Sequence, residues 1–87
     1  MPIISSFYGI IIQMYFKDEK KHHLPHFHAE YAEYRAVFDL KGKLIDGKLP
    51  KKKKNLIVAW AEIHEEELQA AWKAIKMGEV IKIEGLR

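Results

Sequence analysis

The chain has 87 residues, enough for one domain and too few for two, so we predict a single domain over residues 1–87. Its 48% hydrophobic and 31% charged residues exclude an intrinsically disordered chain. The absence of cysteine excludes disulfides and thiolate metal sites. The net charge of +3 permits an anionic partner without requiring one.

The longest apolar stretch, residues 7–16, is interrupted by Gln13 and is too short to cross a membrane. No positively charged segment precedes it, as a secretory signal would require. A chain without cysteine also fits a reducing compartment. We therefore predict a cytoplasmic protein that makes no contact with a membrane.

The first half of the chain predicts an antiparallel sheet of three to four strands. Residues 7–16 are rich in β-branched and aromatic side chains, which predicts a first strand in the centre of the sheet, after a short lead-in. Gly42 can take a positive φ and predicts a hairpin turn. Three further strands, separated by short turns, are predicted at residues 27–31, 34–40 and 44–46.

The second half predicts helices. Apolar residues recur at three- and four-residue spacing from Leu56 to Ile75. Three glutamates follow His64 and suit the start of a second helix, so we expect two helices or one kinked helix. Asn55, a good N-cap, is preferred over Pro50 as the starting point, and Gly78 predicts the end. The predicted fold is α+β, with this helical layer packed on one face of the sheet.

The segment from Pro25 to Tyr31 carries two histidines at positions two apart. Residues two apart in a strand point to the same face, so His26, His28 and Glu30 are expected to line one side of the sheet. Three titratable side chains in a row indicate a candidate site. The alternative is that the histidines are ordinary hydrogen-bonded strand residues.

A metal site is one interpretation of this face. His26 and His28 have the spacing for two imidazole ligands of zinc or another divalent ion. Glu30, His22 or His64 would complete the shell. The His-x-His pair lacks the spacing of a closed structural site, so we predict no cofactor and keep a divalent metal as the alternative.

A metal-independent ribonuclease is a second interpretation. His26 and His28 would share the general base and general acid roles when a 2′-hydroxyl attacks its phosphate. Arg35 would hold the phosphate and its developing charge. A tyrosine would stack on a base, and the candidates are Tyr15, Tyr31 and Tyr34.

A basic run opens the helical region. Lysines at a helix N-terminus oppose the helix dipole, so local helix stability does not explain them. A phosphate backbone or an acidic protein would explain them, and the alternative is a solvated surface ahead of the helix. The predicted nucleic-acid-binding or partner-binding residues are Lys48, Lys51, Lys52, Lys53 and Lys54, together with Tyr31 and Tyr34.

Several segments together resemble one bacterial family, DUF4160, along essentially the whole chain. The segments are Phe7-Tyr8-Gly9-Ile10, Met14-Tyr15-Phe16, Pro25-His26-Phe27-His28-Ala29-Glu30-Tyr31, Gly47-Lys48-Leu49-Pro50 and Trp60-Ala61-Glu62 with His64. The resemblance implies a small stand-alone cytoplasmic protein encoded beside a second small protein, of the DUF2442 type. It implies no catalytic residue.

Such a gene pair is typical of a toxin–antitoxin module. We therefore expect the basic, toxin-like or interaction member of a two-gene module, which binds a small partner protein. The alternatives are the ribonuclease and the divalent-metal-binding protein described above. RNA and a second copy of the chain remain possible partners, and the ribonuclease and partner-binding hypotheses are compatible.

Overall fold

The computed structural model of the protein describes residues 2–15 and 24–87. These residues form one antiparallel sheet, in which each strand pairs with the next in chain order, followed by two helices. The elements are β1 (Ile3–Phe7), β2 (Ile10–Gln13), β3 (His26–Tyr31), β4 (Tyr34–Asp39), β5 (Leu44–Gly47), α1 (Lys51–Ile63) and α2 (Glu65–Lys76). The predicted α+β class is confirmed, but the sheet of the described residues has five strands instead of three to four.

The additional strand comes from the segment that we predicted as one strand over residues 7–16. A tight turn divides this region, because Tyr8 and Gly9 both take positive φ, at 51° and 80°. Two such residues in succession make a hairpin turn whose twist matches the strands on either side. The predicted lead-in therefore contains β1 up to its last residue, Phe7, and β1 pairs with β2 as its antiparallel neighbour. Phe16 lies outside the described residues.

The other predicted strands are confirmed within one residue of their ends. Ala32, at φ 53°, lies in the two-residue turn between β3 and β4, where a turn was predicted. Gly42, at φ 91°, lies in the turn between β4 and β5. There, one carboxylate oxygen of Asp39 accepts hydrogen bonds from the amides of Lys41 and Lys43, both at 2.9 Å, which closes the turn.

The helical region forms two helices, which is one of the two predicted alternatives. His64 separates them, because its backbone angles, φ −111° and ψ 26°, lie outside the helical range and make it both the C-cap of α1 and the N-cap of α2. The preference for Asn55 as the helix start is wrong. The helix begins at Lys51, directly after Pro50, whose extended backbone and carbonyl bond to Lys54 make it the N-cap residue.

Gly78 ends the second helix as predicted. It has φ 83°, and its amide donates to the Ile75 carbonyl. The amide of Glu79 then reaches back to the Ala74 carbonyl, which completes a Schellman motif. In the part of the chain that the structure describes, no helix is both long enough and apolar enough to cross a membrane.

One apolar core joins the helices to the sheet. Trp60 is fully buried, and its ring lies 5.3 Å from that of Phe7 and 5.6 Å from that of Phe27. Its indole N–H donates to the Glu84 carbonyl at 2.9 Å. The C-terminal segment also runs beside β1, where the Ile83 amide donates to the Ile4 carbonyl. The helical layer therefore covers the Phe27 face of β3, and the alternate residues His28 and Glu30 lie on the other face.

Candidate functional site

The strand register places polar side chains in rows across the face opposite the helices. His28 pairs with Gln13 on β2 and with Val37 on β4, and Val37 pairs with Asp46 on β5. In the next row, Glu30 pairs with Arg35. Directly paired residues project to the same side of a sheet, so these side chains share one face. Sequence reasoning found three members of this group, His28, Glu30 and Arg35, and missed Gln13 and Asp46.

His28 lies against Tyr15. The two rings are stacked, with centroids 4.3 Å apart and planes inclined by 10°. The Tyr15 hydroxyl is 3.3 Å from Nδ1 of His28, within reach of a hydrogen bond. Of the three candidate tyrosines, Tyr15 holds the imidazole ring of His28 from one side, while stacking of a tyrosine on an RNA base stays a prediction.

His26 has a different environment, although it follows the same alternation along β3. Its side chain is fully buried, and Nδ1 lies 2.7 Å from the Leu24 carbonyl oxygen. A carbonyl only accepts, so Nδ1 carries the hydrogen in this bond. The ring also packs against Trp72, at a centroid distance of 5.3 Å, and lies edge-on to His28 at 5.2 Å. These contacts favour a positioning role for His26, while its predicted catalytic role stays a prediction.

A cavity of about 260 Å³ opens on the His28 face. Two of its lining residues, Arg35 and Glu30, form an ion pair with Nε and Oε2 3.7 Å apart, and the Arg35 side chain is 80% exposed. The cavity therefore offers an imidazole, a cation that reaches into solvent and a phenol hydroxyl. Its lining residues are Gln13, Tyr15, His28, Ala29, Glu30, Arg35, Ala36, Val37, Asp46 and Gly47.

The structure does not assemble the predicted metal ligands into a ready site. Within residues 2–15 and 24–87, no three histidine, aspartate or glutamate side chains come together closely enough to hold a metal ion. His64 contacts Glu67 through Nδ1 at the junction of the two helices. His22 lies outside the described residues. Metal binding by His26, His28 and Glu30 stays a prediction.

The predicted basic residues gather at one end of the sheet. Two turns, at residues 8–9 and 32–33, lie at this end of the sheet. β5 also ends there, and Lys48 follows it on the way to the first turn of α1. The Lys48 amide donates to the Arg35 carbonyl at 3.1 Å. We define the basic end as Arg35, Lys48, Lys51, Lys52, Lys53 and Lys54.

Lys53 ties the start of α1 to the sheet. Its ammonium group donates to the Tyr8 carbonyl at 3.1 Å and lies 4.8 Å from the centre of the Tyr31 ring. This lysine therefore has a structural role in addition to any binding role. Tyr8 is 53% exposed beside it and was not predicted as a site residue, because the turn that presents it was taken for a strand.

No curated protein matches the chain, and no solved structure matches it. The chain matches the family described as a domain of unknown function (DUF4160), whose model covers residues 9–73 of the 87. The matched region includes the whole cavity around His28 and the whole basic end. The chain therefore belongs to the DUF4160 family.

Proposed function

We propose that the protein is the basic member of a two-gene module and that its basic end binds an acidic segment of the partner protein. The observation that carries this proposal is the first turn of α1, in which all four residues are lysines. The two-gene arrangement is what the family resemblance implies, and the choice of binding surface rests on the charges of the basic end.

The two helices of the chain have opposite charge patterns. The first turn of α2 carries three glutamates and its last turn carries Lys73 and Lys76, the arrangement that the helix dipole favours. The first turn of α1 contains no acidic residue, and its last turn contains no basic residue. Each exposed lysine at such an N-terminus costs roughly 0.3–1 kcal/mol at low ionic strength. The helix dipole therefore disfavours this lysine run. Lys53 is explained by its contact with the sheet, and an anionic partner supplies a reason for Lys51, Lys52 and Lys54.

An acidic protein segment would complement the charge of the basic end. Glu30 and Glu33 are the acidic residues on the neighbouring strand and turn, and Glu30 is already paired with Arg35. Because Arg35 is paired with Glu30, the five lysines of the basic end leave an excess positive charge, whose potential speeds the encounter with an acidic partner. This attraction weakens as salt is added, which provides a measurable signature.

The partner can be tested by co-purification and titration with the protein encoded by the adjacent gene. We expect the triple variant Lys51→Gln, Lys52→Gln and Lys54→Gln to bind at least about tenfold more weakly than the wild type. Lys53 is left in place because it anchors α1. Isothermal titration calorimetry at two salt concentrations measures both the affinity and its salt dependence.

The matched control removes the same charge elsewhere, through Lys73→Gln, Lys76→Gln and Lys82→Gln. Circular dichroism should show that both triple variants are folded. Equal affinity of the two variants for the partner would contradict the proposal, as would a wild-type complex whose affinity does not depend on salt.

Ribonuclease activity is a second candidate, favoured by the cavity that holds His28, Tyr15 and Arg35. His28 would take the proton of a 2′-hydroxyl, whose oxygen then attacks the adjacent phosphorus. Arg35 would hold the phosphate, water would protonate the departing 5′-oxygen, and the product end would be a 2′,3′-cyclic phosphate. Because His26 is buried and bonded to Leu24, this form of the hypothesis assigns the base role to His28 alone.

Replacing His28 with alanine should lower any RNA cleavage by at least about a hundredfold, the usual contribution of a general base. Single-stranded RNA cleavage, followed by gel electrophoresis, measures this loss. His64→Ala is the matched control, since His64 lies at the helix junction instead of the cavity. Wild-type protein that leaves RNA intact, or equal cleavage by the two variants, would exclude the ribonuclease.

A further inference from the structure

A second concave surface lies at the opposite end of β3 and β4 from the basic end. It has a volume of about 460 Å³ and shares none of its described lining residues with the cavity around His28. Residues before β3, the turn after β4 and one side of α2 form its walls. The lining residues are Leu24, Pro25, Asp39, Leu40, Lys41, Gln69, Trp72, Lys73 and Lys76. We call this surface the Trp72 groove.

The floor of the Trp72 groove is apolar and held in place. Trp72 is partly buried and packs against the core and against His26, at a centroid distance of 5.3 Å. His26 is in turn fixed through Nδ1 to the carbonyl of Leu24, another lining residue. Leu24 is 63% exposed, which leaves apolar surface available to a ligand. His26 therefore connects the two apolar parts of the floor, Leu24 and Trp72.

The rim of the groove is cationic. Lys41 comes from the turn after β4, while Lys73 and Lys76 come from the last turn of α2. Asp39 is the one acidic residue among the described lining residues, and one of its carboxylate oxygens closes the turn by accepting from two amides. Three ammonium groups against one carboxylate leave an excess positive charge around an apolar floor.

We propose that the Trp72 groove binds a small apolar monocarboxylate, such as a medium-chain fatty acid. The apolar chain would cover Trp72 and Leu24, and the carboxylate would lie among the lysines. Ligand sites of roughly 300–1,000 Å³ are usually mostly apolar with a few polar groups that fix orientation, which fits this groove. Lysine suits such a role because its ammonium group binds a carboxylate while its stem lies along an apolar surface.

Decanoate, kept below its micelle concentration, is the probe, and nuclear magnetic resonance of the two indole N–H groups is the readout. Trp72→Phe assigns the signals, since Trp60 is the other tryptophan. We expect decanoate to shift the Trp72 signal and to leave that of the buried Trp60 in place. Decanol and decyltrimethylammonium have the same chain length with no charge or the opposite charge, and each should bind at least about tenfold more weakly.

The variant Lys73→Gln with Lys76→Gln should reduce decanoate affinity about fivefold and remove most of its advantage over decanol. Lys51→Gln with Lys52→Gln removes the same charge at the basic end and should leave decanoate binding unchanged. Equal binding of the three probes would show nonspecific adsorption and overturn the proposal. The proposal would also be overturned if decanoate did not shift the Trp72 signal, or if the two double variants lost decanoate affinity equally.

Discussion

Replacing Trp60 with alanine is expected to unfold the protein or bring it close to unfolding. Trp60 is fully buried and contacts the rings of Phe7 and Phe27, so its removal leaves a cavity where the first helix meets two strands. A buried tryptophan replaced by alanine costs roughly 3–5 kcal/mol. Domains of this size have a total unfolding free energy of roughly 5–15 kcal/mol, so the loss takes a large part of it.

The control for this substitution is Trp60→Phe, which keeps an aromatic ring in the core. It removes the indole N–H that donates to the Glu84 carbonyl at 2.9 Å, and it should cost about 1–2 kcal/mol. Urea unfolding followed by far-ultraviolet circular dichroism measures both variants. Equal unfolding free energies for Trp60→Ala and Trp60→Phe would mean that the ring does not support the junction of α1 with the sheet.

Local sequence patterns predicted most of the elements. The alternation along His26–Tyr31 gave the correct face for His28 and Glu30, since strand geometry alone determines which side chains share a side. The helix break at His64 and the end at Gly78 were also predictable, because helix termini depend on nearby residues. The hairpin at Tyr8 and Gly9 was missed because strand-forming residues flank it on both sides.

The composition of the candidate site could not be predicted to the same extent. Gln13 and Asp46 join His28 only through the pairing of β2, β3, β4 and β5, and this register depends on side chains distant in the sequence. The burial of His26 depends on Trp72, which follows it by 46 positions and comes from the second helix. The sequence spacing predicts the same exposure for His26 and His28, but tertiary packing buries His26 completely and leaves His28 partly exposed.

The start of α1 shows how a local rule can mislead. Asn55 is a better N-cap by side chain than Pro50, which has no capping group. The chain nevertheless begins the helix at Lys51, where Lys53 bonds the Tyr8 carbonyl and lies over the Tyr31 ring. The additional helical turn is thus accompanied by contacts of Lys53 with Tyr8 and Tyr31. These contacts hold the lysine run at the basic end.

Replacing Gly47 with alanine should be the most damaging change outside the core. Gly47 has φ 80° and pairs with Ala36 at the end of β5. A Cβ atom there would lie 2.3 Å from the Arg35 carbonyl oxygen and 2.8 Å from the Ala36 Cα atom. These neighbours are backbone atoms of a paired strand, so they cannot move aside without breaking the pairing. We expect a loss of at least about 3 kcal/mol in unfolding free energy.

Gly78→Ala is the matched control for this change. Gly78 has φ 83°, nearly the same backbone conformation, but a Cβ atom there would meet nothing within 4 Å. Its substitution should cost only the left-handed strain of roughly 1–2 kcal/mol. The difference between the two variants in urea unfolding therefore measures the clash with β4. Because Gly47 lines the His28 cavity and leads into Lys48, Gly47→Ala should also weaken binding at the basic end. Equal unfolding free energies for the two alanine variants would show that β5 moves away from β4 freely and does not hold the basic end in place.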